Sequence, residues 1–298
     1  MIKQPKFGSY TKCQEIPIFH PPQYQPQQPG IESIMIPRPI SENPSYLGSS
    51  KLLDKVAIIT GGDSGIGRAI SYAYAKEGAD IVIVYYNEHG DAEETRSRVL
   101  ELGRRCLTIA GDIGEEEFSK QIVEQTINTF GRIDIVVNNA AVQFNQSRIE
   151  DISQEQLELT FRTNIFALFY LIKAALPHLK PGSTIINTSS ETATIGFRNL
   201  IDYSATKGAI STFTRSLSLS LTERGIRVNA VAPGITWTPL ILASLPPEFY
   251  ISAGFDNLMK RNAEPAELAP AYVYLASDDS SYVVGQVLHV NGGSYFSQ

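Results

Sequence analysis

The sequence predicts a single α/β domain in which helices cover both faces of a doubly wound, mostly parallel sheet of about seven strands. Three observations lead to this prediction. Short apolar runs alternate with helix-like stretches from Lys51 to the end of the sequence. A glycine-rich turn, Gly61 to Gly67, joins the first apolar run to the first helix-like stretch. No change of composition marks an internal boundary after Lys51, so we expect one Rossmann-type domain with ligands at the carboxyl ends of its strands.

Residues 1–50 differ from the rest of the chain, since nine of the 17 prolines lie there. Proline has no backbone N–H to donate, so this segment is expected to be extended or loose. Two interpretations stay open: a flexible tail, or an arm laid over the folded body or a neighbouring subunit. Apolar anchors for an arm are available at Ile31, Ile34, Met35 and Ile36. We therefore divide the chain into an N-terminal extension, residues 1–50, and a folded domain, residues 51–298.

The domain begins with a βαβ unit. Val56–Thr60 is typical of a short buried strand, Arg68–Glu77 is helical in composition, and Ile81–Tyr85 is a second strand-like run. A strand, a tight turn, a helix and another strand in about 30 residues form a right-handed crossover. The later strand-like runs are Cys106–Ala110, Ile133–Val137, Thr184–Asn187, Val228–Val231 and Gln286–Val290. The helix-like stretches are Asp91–Leu102, Glu115–Phe130, Gln154–His178, Thr206–Glu223 and Glu267–Ala276.

Composition excludes several classes of protein. The net charge of -6 provides no basic surface for nucleic acid, and no apolar run reaches the ~20 residues that a membrane span needs. The N-terminus lacks the apolar stretch of a secretory signal. Cys13 and Cys106 lie in dissimilar surroundings, and the four histidines show no metal-ligand spacing. We therefore expect a soluble, cytoplasmic protein with no structural metal, no nucleic acid partner and no membrane partner.

The glycine-rich turn stands where a phosphate site is expected. Its sequence is Thr60-Gly61-Gly62-Asp63-Ser64-Gly65-Ile66-Gly67, after a strand and at the start of a helix. Residues without a Cβ let the backbone approach a pyrophosphate, and the amides at the helix start face the anion. The spacing of the glycines differs from the commonest dinucleotide fingerprint. The alternative is a turn needed only for packing of the helix on the strand.

Tyr203 and Lys207 form a candidate acid/base pair. Residues four apart share one helix face, so the ammonium can lie beside the phenol and favour its ionised form. The spacing alone carries little weight, because Tyr72 and Lys76 repeat it on what we interpret as an ordinary helix face. Tyr203 is distinguished by the other motifs along the chain. The glycine-rich turn, Asn164 and Ser190 precede it, and a Pro-Gly pair follows it.

Taken together, these motifs resemble those of the short-chain dehydrogenase/reductase family over about residues 51–298, and the resemblance implies that this region is a dinucleotide-binding catalytic domain. The motifs are Thr60–Gly67, Asn138-Asn139-Ala140, Asn164, Ser190, Tyr203 with Lys207, and Pro233-Gly234 with Thr238. The proline-rich leader resembles that of a bacterial subgroup of this family with long N-terminal extensions. It is also similar to the leader of plant proteins called glucose and ribitol dehydrogenase homologues. The resemblance implies an NAD(P)-dependent oxidoreductase that moves a hydride between the nicotinamide and an alcohol/carbonyl substrate. A polyol, a sugar or a small aldehyde or ketone fits that class.

The family resemblance implies four catalytic residues. Tyr203 would exchange a proton with the substrate oxygen, and Ser190 would hydrogen-bond that oxygen, with Ser189 as the alternative. Lys207 would hold the nicotinamide ribose and, with the positive nicotinamide ring, lower the pKa of the phenol. Asn164 would hold a water that relays protons to Lys207; its alternative is a solvated or capping residue. A second function, a dinucleotide-binding sensor or scaffold with little turnover, is disfavoured because this set is intact.

The resemblance also implies the dinucleotide contacts. They are Gly61, Asp63, Ser64, Gly65, Ile66, Gly67, Asn87, Asp112, Ile113, Asn139, Ala140, Tyr203, Lys207, Pro233, Gly234, Ile235 and Thr238. Asp112 can equally be a helix N-cap, and both roles are compatible. Ala141 stands where the family usually has glycine, which we expect to cause a small local shift. At the end of the second strand Asn87 precedes Glu88 with no cation nearby, so NAD is favoured over NADP, and dual use stays open.

The long connection from Pro239 to Ala263 has the length of an active-site lid. Its apolar residues either cap the site or pack in the core: Leu240, Ile241, Leu245, Phe249 and Phe255. We expect the substrate to be contacted by Gln143, Glu191 and Trp237. The family's homotetramer packs the helices that contain Asn164 and Tyr203, and also the last helix and strand. The apolar ending Tyr282 to Val287 is compatible with that assembly.

Overall fold

Seven parallel strands form the main sheet of the structure, a computed structural model that describes residues 7–8, 16–251 and 253–296. Residues 1–6 and 9–15, which include Cys13, lie outside that part, as do residues 252, 297 and 298. A short antiparallel pair comes first, β1 (Phe7–Gly8) and β2 (Ile16–Pro17). The strands of the main sheet are β3 (Val56–Thr60), β4 (Asp80–Tyr85), β5 (Cys106–Ala110), β6 (Ile135–Asn138), β7 (Thr184–Thr188), β8 (Arg227–Pro233) and β9 (Val287–Val290).

Helices cover both faces of this sheet. They are α1 (Gly65–Lys76), α2 (His89–Glu101), α3 (Glu116–Phe130), α4 (Gln154–Phe161), α5 (Ala167–Ala175), α6 (Thr192–Ile195), α7 (Ile201–Leu221), α8 (Pro239–Leu242) and α9 (Pro265–Ala276). One hydrophobic cluster joins the sheet to α1, α2 and α9, and a second joins it to α3, α5 and α7. The predicted doubly wound α/β fold is confirmed.

The position of β3 between two layers of helices explains why its sequence is apolar up to Thr60. Ala57 and Ile59 pack into the first cluster, whereas Val56 and Ile58 pack into the second. Successive side chains of a strand point to opposite faces, so a strand between two helical layers buries both sets. All five residues of β3 are buried, as this argument requires.

The strand order places a switch point in the middle of the sheet. The order is β5-β4-β3-β6-β7-β8-β9, so the chain winds outward in one direction from β3 and in the other from β6. The connections that leave these two neighbouring strands diverge at their carboxyl ends. A crevice opens between such connections, and ligands of doubly wound sheets bind there.

Two helix predictions need correction. The expected helix from Gln154 to His178 is divided, because a π-helical turn at Arg162–Phe166 separates α4 from α5. The helix expected from Thr206 begins earlier, at Ile201. Asp202 lies in its first turn, where a carboxylate is favoured by the helix dipole. Tyr203 and Lys207 therefore do share a helix.

Residues 16–50, which we name the arm, lie against the folded body. The His20 ring stacks on Trp237 with centroids 4.1 Å apart, and its Nε2 lies 3.0 Å from Oε1 of Glu264. The Trp237 Nε1 donates to the carbonyl oxygen of Pro37 at 2.9 Å. Among the expected apolar anchors Met35 is buried, whereas Ile34 and Ile36 are more than half exposed. Polar contacts as well as apolar ones thus hold the arm.

In the part of the chain that the structure describes, no helix combines the length and the apolar character needed to span a membrane.

Candidate active site

A cavity of about 520 Å³ opens at the carboxyl edge of the sheet. Its walls come from the residues that end or follow successive strands, as expected for the switch point of a doubly wound sheet. One such residue from each of six strands is Gly61, Tyr85, Gly111, Asn139, Ser189 and Pro233. The catalytic and dinucleotide contacts implied by the sequence fall mostly along this edge.

The glycine-rich turn forms one end of the cavity. Gly61 and Gly65 have positive φ values of 63° and 50°, which favour glycine. Gly67 is required for another reason: a Cβ there would lie 1.8 Å from the carbonyl oxygen of Gly61. Gly61, Asp63, Ser64, Gly65 and Ile66 line the cavity, whereas Gly67 lies behind them and lets the turn close.

Tyr203 and Lys207 reach the cavity from α7, and both side chains are buried. The Lys207 Nζ donates to the carbonyl oxygen of Thr188 at 2.8 Å and lies 5.3 Å from the centre of the Tyr203 ring. Ser190 follows the end of β7 and lines the cavity beside them. The Ser189 hydroxyl is instead bonded to Ser211 at 2.8 Å and donates to the Lys207 carbonyl at 3.0 Å. This placement favours Ser190 over Ser189 as the residue that meets a substrate.

The electrostatics of the pair follow from burial. Burial raises the pKa of the Tyr203 phenol well above its ordinary value, against the lowering effect of the nearby Ser190 hydroxyl. The Glu191 charge raises that pKa further. Burial lowers the pKa of Lys207 to about 7. In this state the phenol holds its proton, so an added positive charge nearby is needed to ease its release.

Asn164 lies within the π-helical turn and is completely buried. Its Oδ1 accepts from the Val142 amide at 2.9 Å, and its Nδ2 donates to the Val142 carbonyl at 2.9 Å. Nδ2 also lies 3.1 Å from the Thr206 hydroxyl, on the residue that precedes Lys207. Asn164 is therefore neither solvated nor a cap: it joins the cavity wall after β6 to α7. Such π-helical turns occur frequently at functional sites.

The end of β6 is bonded to the end of β3. The Asn139 and Ala140 amides donate to the Thr60 hydroxyl at 2.9 and 3.1 Å. Asn139 Nδ2 donates to the Thr60 carbonyl at 3.1 Å. Asn139, Ala140 and the atypical Ala141 all line the cavity. The asparagine thus fixes the spacing between the two strand ends at the switch point.

The far end of the cavity contains acidic residues. Asp63 and Glu88 are buried there, and burial together with the Glu88 charge raises the pKa of Asp63 to about 7. Asp112 and Ile113 also line this end. The N-cap of α3 is Glu115, so the Asp112 side chain does not cap the helix and instead accepts from the Gly114 amide at 2.8 Å.

The expected dinucleotide contact from Asn87 needs correction. Asn87 is exposed and does not line the cavity, because the chain turns and presents Glu88 instead.

The opposite side of the cavity comes from the Pro-Gly segment and the connection after it. Pro233, Gly234, Ile235 and Thr238 line it as expected. We name the connection 239–263 the lid segment; Leu240, Ile241, Leu245 and Phe249 face the cavity, whereas Phe255 does not. Gln143 and Glu191 supply polar groups to the same wall.

Trp237 was expected to contact a substrate, and the structure places it elsewhere. Its side chain is completely buried beneath the arm, between His20 and Tyr250, and does not line the cavity. The neighbouring Thr238 faces the cavity, and an extended backbone points successive side chains to opposite sides.

A Trp237→Phe variant should therefore affect stability and not substrate affinity. The change leaves the Pro37 carbonyl without its donor, which we expect to reduce the free energy of unfolding by about 1–3 kcal/mol. Thermal unfolding and the substrate KM would be measured together, with Tyr24→Phe as the exposed aromatic control. A raised KM with unchanged stability would contradict the placement.

The lining residues that the sequence did not indicate include Gln28, Pro29 and Gly30 of the arm. The proline-rich composition indicated an extended segment but gave no information about where it lies. The Thr188 carbonyl, which holds Lys207, was also missed, because backbone acceptors leave no pattern in a sequence.

Known oxidoreductases are similar to this chain over most of its length. A family model described as enoyl-(acyl carrier protein) reductase matches residues 61–295. "Uncharacterized oxidoreductase YhdF" of Bacillus subtilis is 60% identical over 93% of this chain and 96% of its own length. "Glucose and ribitol dehydrogenase" of Daucus carota is 50% identical, covering 92% of this chain and 96% of its own. "NADPH-dependent aldehyde reductase 1, chloroplastic" of Arabidopsis thaliana is also 50% identical, covering 91% and 97%.

A solved structure has the same architecture. The short chain dehydrogenase from Burkholderia cenocepacia in complex with NADP superimposes with a TM-score of 0.78 at 28% identity. The match covers 82% of this chain and 99% of that one.

Proposed function

The chain belongs to the short-chain dehydrogenase/reductase family, and from this premise we propose that it transfers a hydride between a nicotinamide dinucleotide and an alcohol/carbonyl substrate. The observation that carries the proposal is the convergence of Tyr203, Ser190 and Lys207 on one cavity wall, beside the glycine-rich turn. An acid/base group, an oxygen-binding hydroxyl and a cradle for phosphates are the groups that this reaction needs from a protein.

The cavity fits a dinucleotide. The turn 61–67 approaches its neighbours so closely that a Cβ at Gly61 would meet Ala140 at 3.1 Å, and one at Gly65 would meet Thr238 at 3.1 Å. Ser64 and Ile66 would face the pyrophosphate, and Asp112 and Ile113 the adenine. Asn139, Ala140, Lys207 and the segment Pro233–Thr238 would hold the nicotinamide half. Hydride chemistry is supplied by the bound nicotinamide, while the protein orients it and handles protons.

Proton handling falls to the buried residues of α7. Tyr203, whose raised pKa keeps it protonated, would donate its proton to the carbonyl oxygen in reduction. In oxidation Tyr203 would act as the phenolate and accept the hydroxyl proton, and the positive charges of Lys207 and of the oxidised nicotinamide ring would favour that ionised form. Ser190 would hold the same oxygen. Lys207, fixed on the Thr188 carbonyl, would bind the nicotinamide ribose and stabilise the phenolate. Asn164, bonded to Val142 and Thr206, would hold the relay water near Lys207.

The substrate end supports a small hydroxylated molecule. Gln143 and Glu191 supply polar groups on the wall beside Ser190, and Leu240, Ile241 and Phe249 supply apolar cover. Burial raises the pKa of Glu191, and the Ser294 hydroxyl donates to its carboxylate. A polyol, a sugar or a short aldehyde suits this mixture. Hydroxyl groups would bond Glu191 and Gln143 while the carbon chain packs under the lid segment.

We assign the chain to the subgroup with a proline-rich N-terminal extension. The Bacillus subtilis relative covers 93% of the chain, which is more than residues 51–298 alone provide. The match therefore runs into the extension.

NAD is the cofactor that the acidic end favours. Asp63 and Glu88 lie buried there. The cations among the described lining residues are Lys207, on α7, and Arg162, whose guanidinium lies 3.6 Å from the Glu115 carboxylate. A 2′-phosphate beside two carboxylates is repelled, whereas a ribose diol can donate to them. The aldehyde reductase relative named for NADPH makes this the point most in need of measurement.

We expect kcat/KM to be higher with NAD than with NADP. In a double variant, Asp63→Asn with Glu88→Gln, the ratio of the two kcat/KM values should fall by roughly tenfold or more. The preference should also grow from pH 6 to pH 8. Asp63, with its pKa raised to about 7, is neutral below that pH and charged above it, so repulsion of the phosphate increases as pH rises. Steady-state kinetics with both cofactors tests this. Asp112→Asn, at the adenine, is the control that should affect both alike.

A homotetramer and a cytoplasmic location complete the proposal. Phe166, Phe169 and Leu219 expose apolar surface on the helices that the family uses for assembly, and Tyr282 does so near the last strand. The two cysteines in dissimilar surroundings support a reducing compartment. Light scattering should give the mass of four chains; a monomer of 32.8 kDa would refute the assembly.

The test of the activity is a screen of the purified protein with NAD and NADP against polyols, sugars and small aldehydes. Reduction of the oxidised cofactor, or oxidation of the reduced one, with at least one substrate is the expected result. Tight binding of dinucleotide without turnover on the whole panel would support the sensor or scaffold instead.

A further inference from the structure

The arm contains a small closed loop whose tip lies in the cavity wall. Gln25 is buried, and its side chain holds the main chain of Ile31 from both sides: Oε1 accepts from the Ile31 amide at 2.6 Å, and Nε2 donates to its carbonyl at 2.8 Å. These bonds close the loop 25–31, which we name the arm loop. Gln28, Pro29 and Gly30 form its tip and line the cavity.

Gln28 is bonded to the wall after β6. Its Oε1 accepts from the Gln143 amide at 3.1 Å, and its Nε2 donates to the Gln143 carbonyl. The Gln143 side chain in turn donates to the Ser244 hydroxyl at 2.7 Å, in the lid segment. The Gln25 amide donates to the Leu242 carbonyl at 2.9 Å. The arm loop therefore ties the lid segment to the wall after β6.

The same loop also approaches the lid segment and the glycine-rich turn. Gly30 is so close to Pro239 that a Cβ on it would lie 2.6 Å from the Pro239 carbonyl oxygen. Just after the loop, Glu32 accepts from the Gly65 amide at 2.6 Å and pairs with the buried Arg68 at 2.8 Å. Asp91 accepts from the Glu32 amide at 2.6 Å. The loop thus has a fixed base beside the turn.

We propose that the arm loop is a built-in wall of the dinucleotide and substrate site, and that Gln28 is a positioning residue that holds Gln143 and the lid segment in place over a bound nicotinamide. This inference rests on the proposed function. Its physical basis is that the loop spans the gap between the glycine-rich turn, the wall after β6 and the lid segment. A dinucleotide in the cavity would then leave only when the contacts of the loop tip to Gln143 and Pro239 are broken, so the arm slows cofactor release.

Rapid-mixing measurements of the release of reduced dinucleotide test the proposal. In a Gln28→Leu variant both bonds to Gln143 are lost, and we expect release about tenfold faster and a cofactor Kd raised by the same factor. The matched control is Gln27→Leu, since Gln27 is adjacent and exposed. Single-turnover hydride transfer at saturating cofactor is recorded in parallel and should stay at the parent rate in Gln27→Leu, since Gln27 does not line the cavity.

A second pair of variants tests the wall without removing a hydrogen bond. Gly30→Ala adds a Cβ against the Pro239 carbonyl and should also speed release, whereas Gly90→Ala adds a Cβ with nothing within 4 Å and should not. Thermal unfolding of all four variants is recorded in parallel.

Parent-like release in Gln28→Leu and Gly30→Ala would overturn the inference, as would a loss of thermal stability with unchanged cofactor affinity. If the parent protein itself binds no dinucleotide, the proposed function fails before any variant is compared, so the two failures are distinguishable.

Discussion

Tyr203→Phe should retain dinucleotide binding and lose turnover by about 10²–10⁴-fold, which is the usual contribution of a general acid or base. The phenol is buried beside Ser190 with Lys207 Nζ 5.3 Å from its ring, and phenylalanine keeps the ring while removing the proton. Cofactor affinity from fluorescence titration and kcat from steady-state kinetics separate the two effects.

The chain provides a matched control for this change. Tyr72 and Lys76 have the same spacing on α1, but Tyr72 does not line the cavity. Tyr72→Phe should therefore leave kcat at the parent value. Near-normal turnover in Tyr203→Phe, or an equal loss in both variants, would refute the assignment of Tyr203.

Gly67→Ala is expected to weaken dinucleotide binding by roughly a hundredfold, since overpacking of this kind costs about 1–3 kcal/mol and each 1.4 kcal/mol is tenfold in affinity. The added Cβ would lie 1.8 Å from the Gly61 carbonyl oxygen and 2.9 Å from Asn139 Nδ2. Both are fixed parts of the switch point, so the whole turn must move. Isothermal titration measures the effect.

The control is Gly90→Ala, whose Cβ meets nothing within 4 Å and whose position in α2 favours alanine over glycine. Gly67→Ala with parent-like affinity would mean that the turn does not hold the dinucleotide.

Local patterns predicted most of the fold. The apolar run of β3 and the glycines after it determine their own structure through backbone geometry and burial, so the βαβ unit could be read directly. The relation of Tyr203 to Lys207 is also local, because one helix fixes it. Features that depend only on neighbouring residues in the sequence could therefore be predicted.

Features that depend on contacts between distant parts of the sequence could not be predicted. The contact of Gln28 with Gln143 joins residues 115 apart, and nothing in either local sequence indicates the other. Trp237 was predicted to contact the substrate, but the arm covers its side chain. The choice between Asn87 and Glu88 depended on how the chain turns after β4. The π-helical turn at Asn164 likewise depends on its pairing with Val142.

The central claim is that Tyr203, Ser190 and Lys207 surround the reactive face of a bound nicotinamide. A crystal structure with dinucleotide and a substrate analogue tests it most directly. We predict that the Tyr203 Oη and the Ser190 Oγ lie within about 3 Å of the substrate oxygen, with Lys207 on the nicotinamide ribose. A nicotinamide ring bound elsewhere in the cavity, or a phenol turned away from it, would contradict the account.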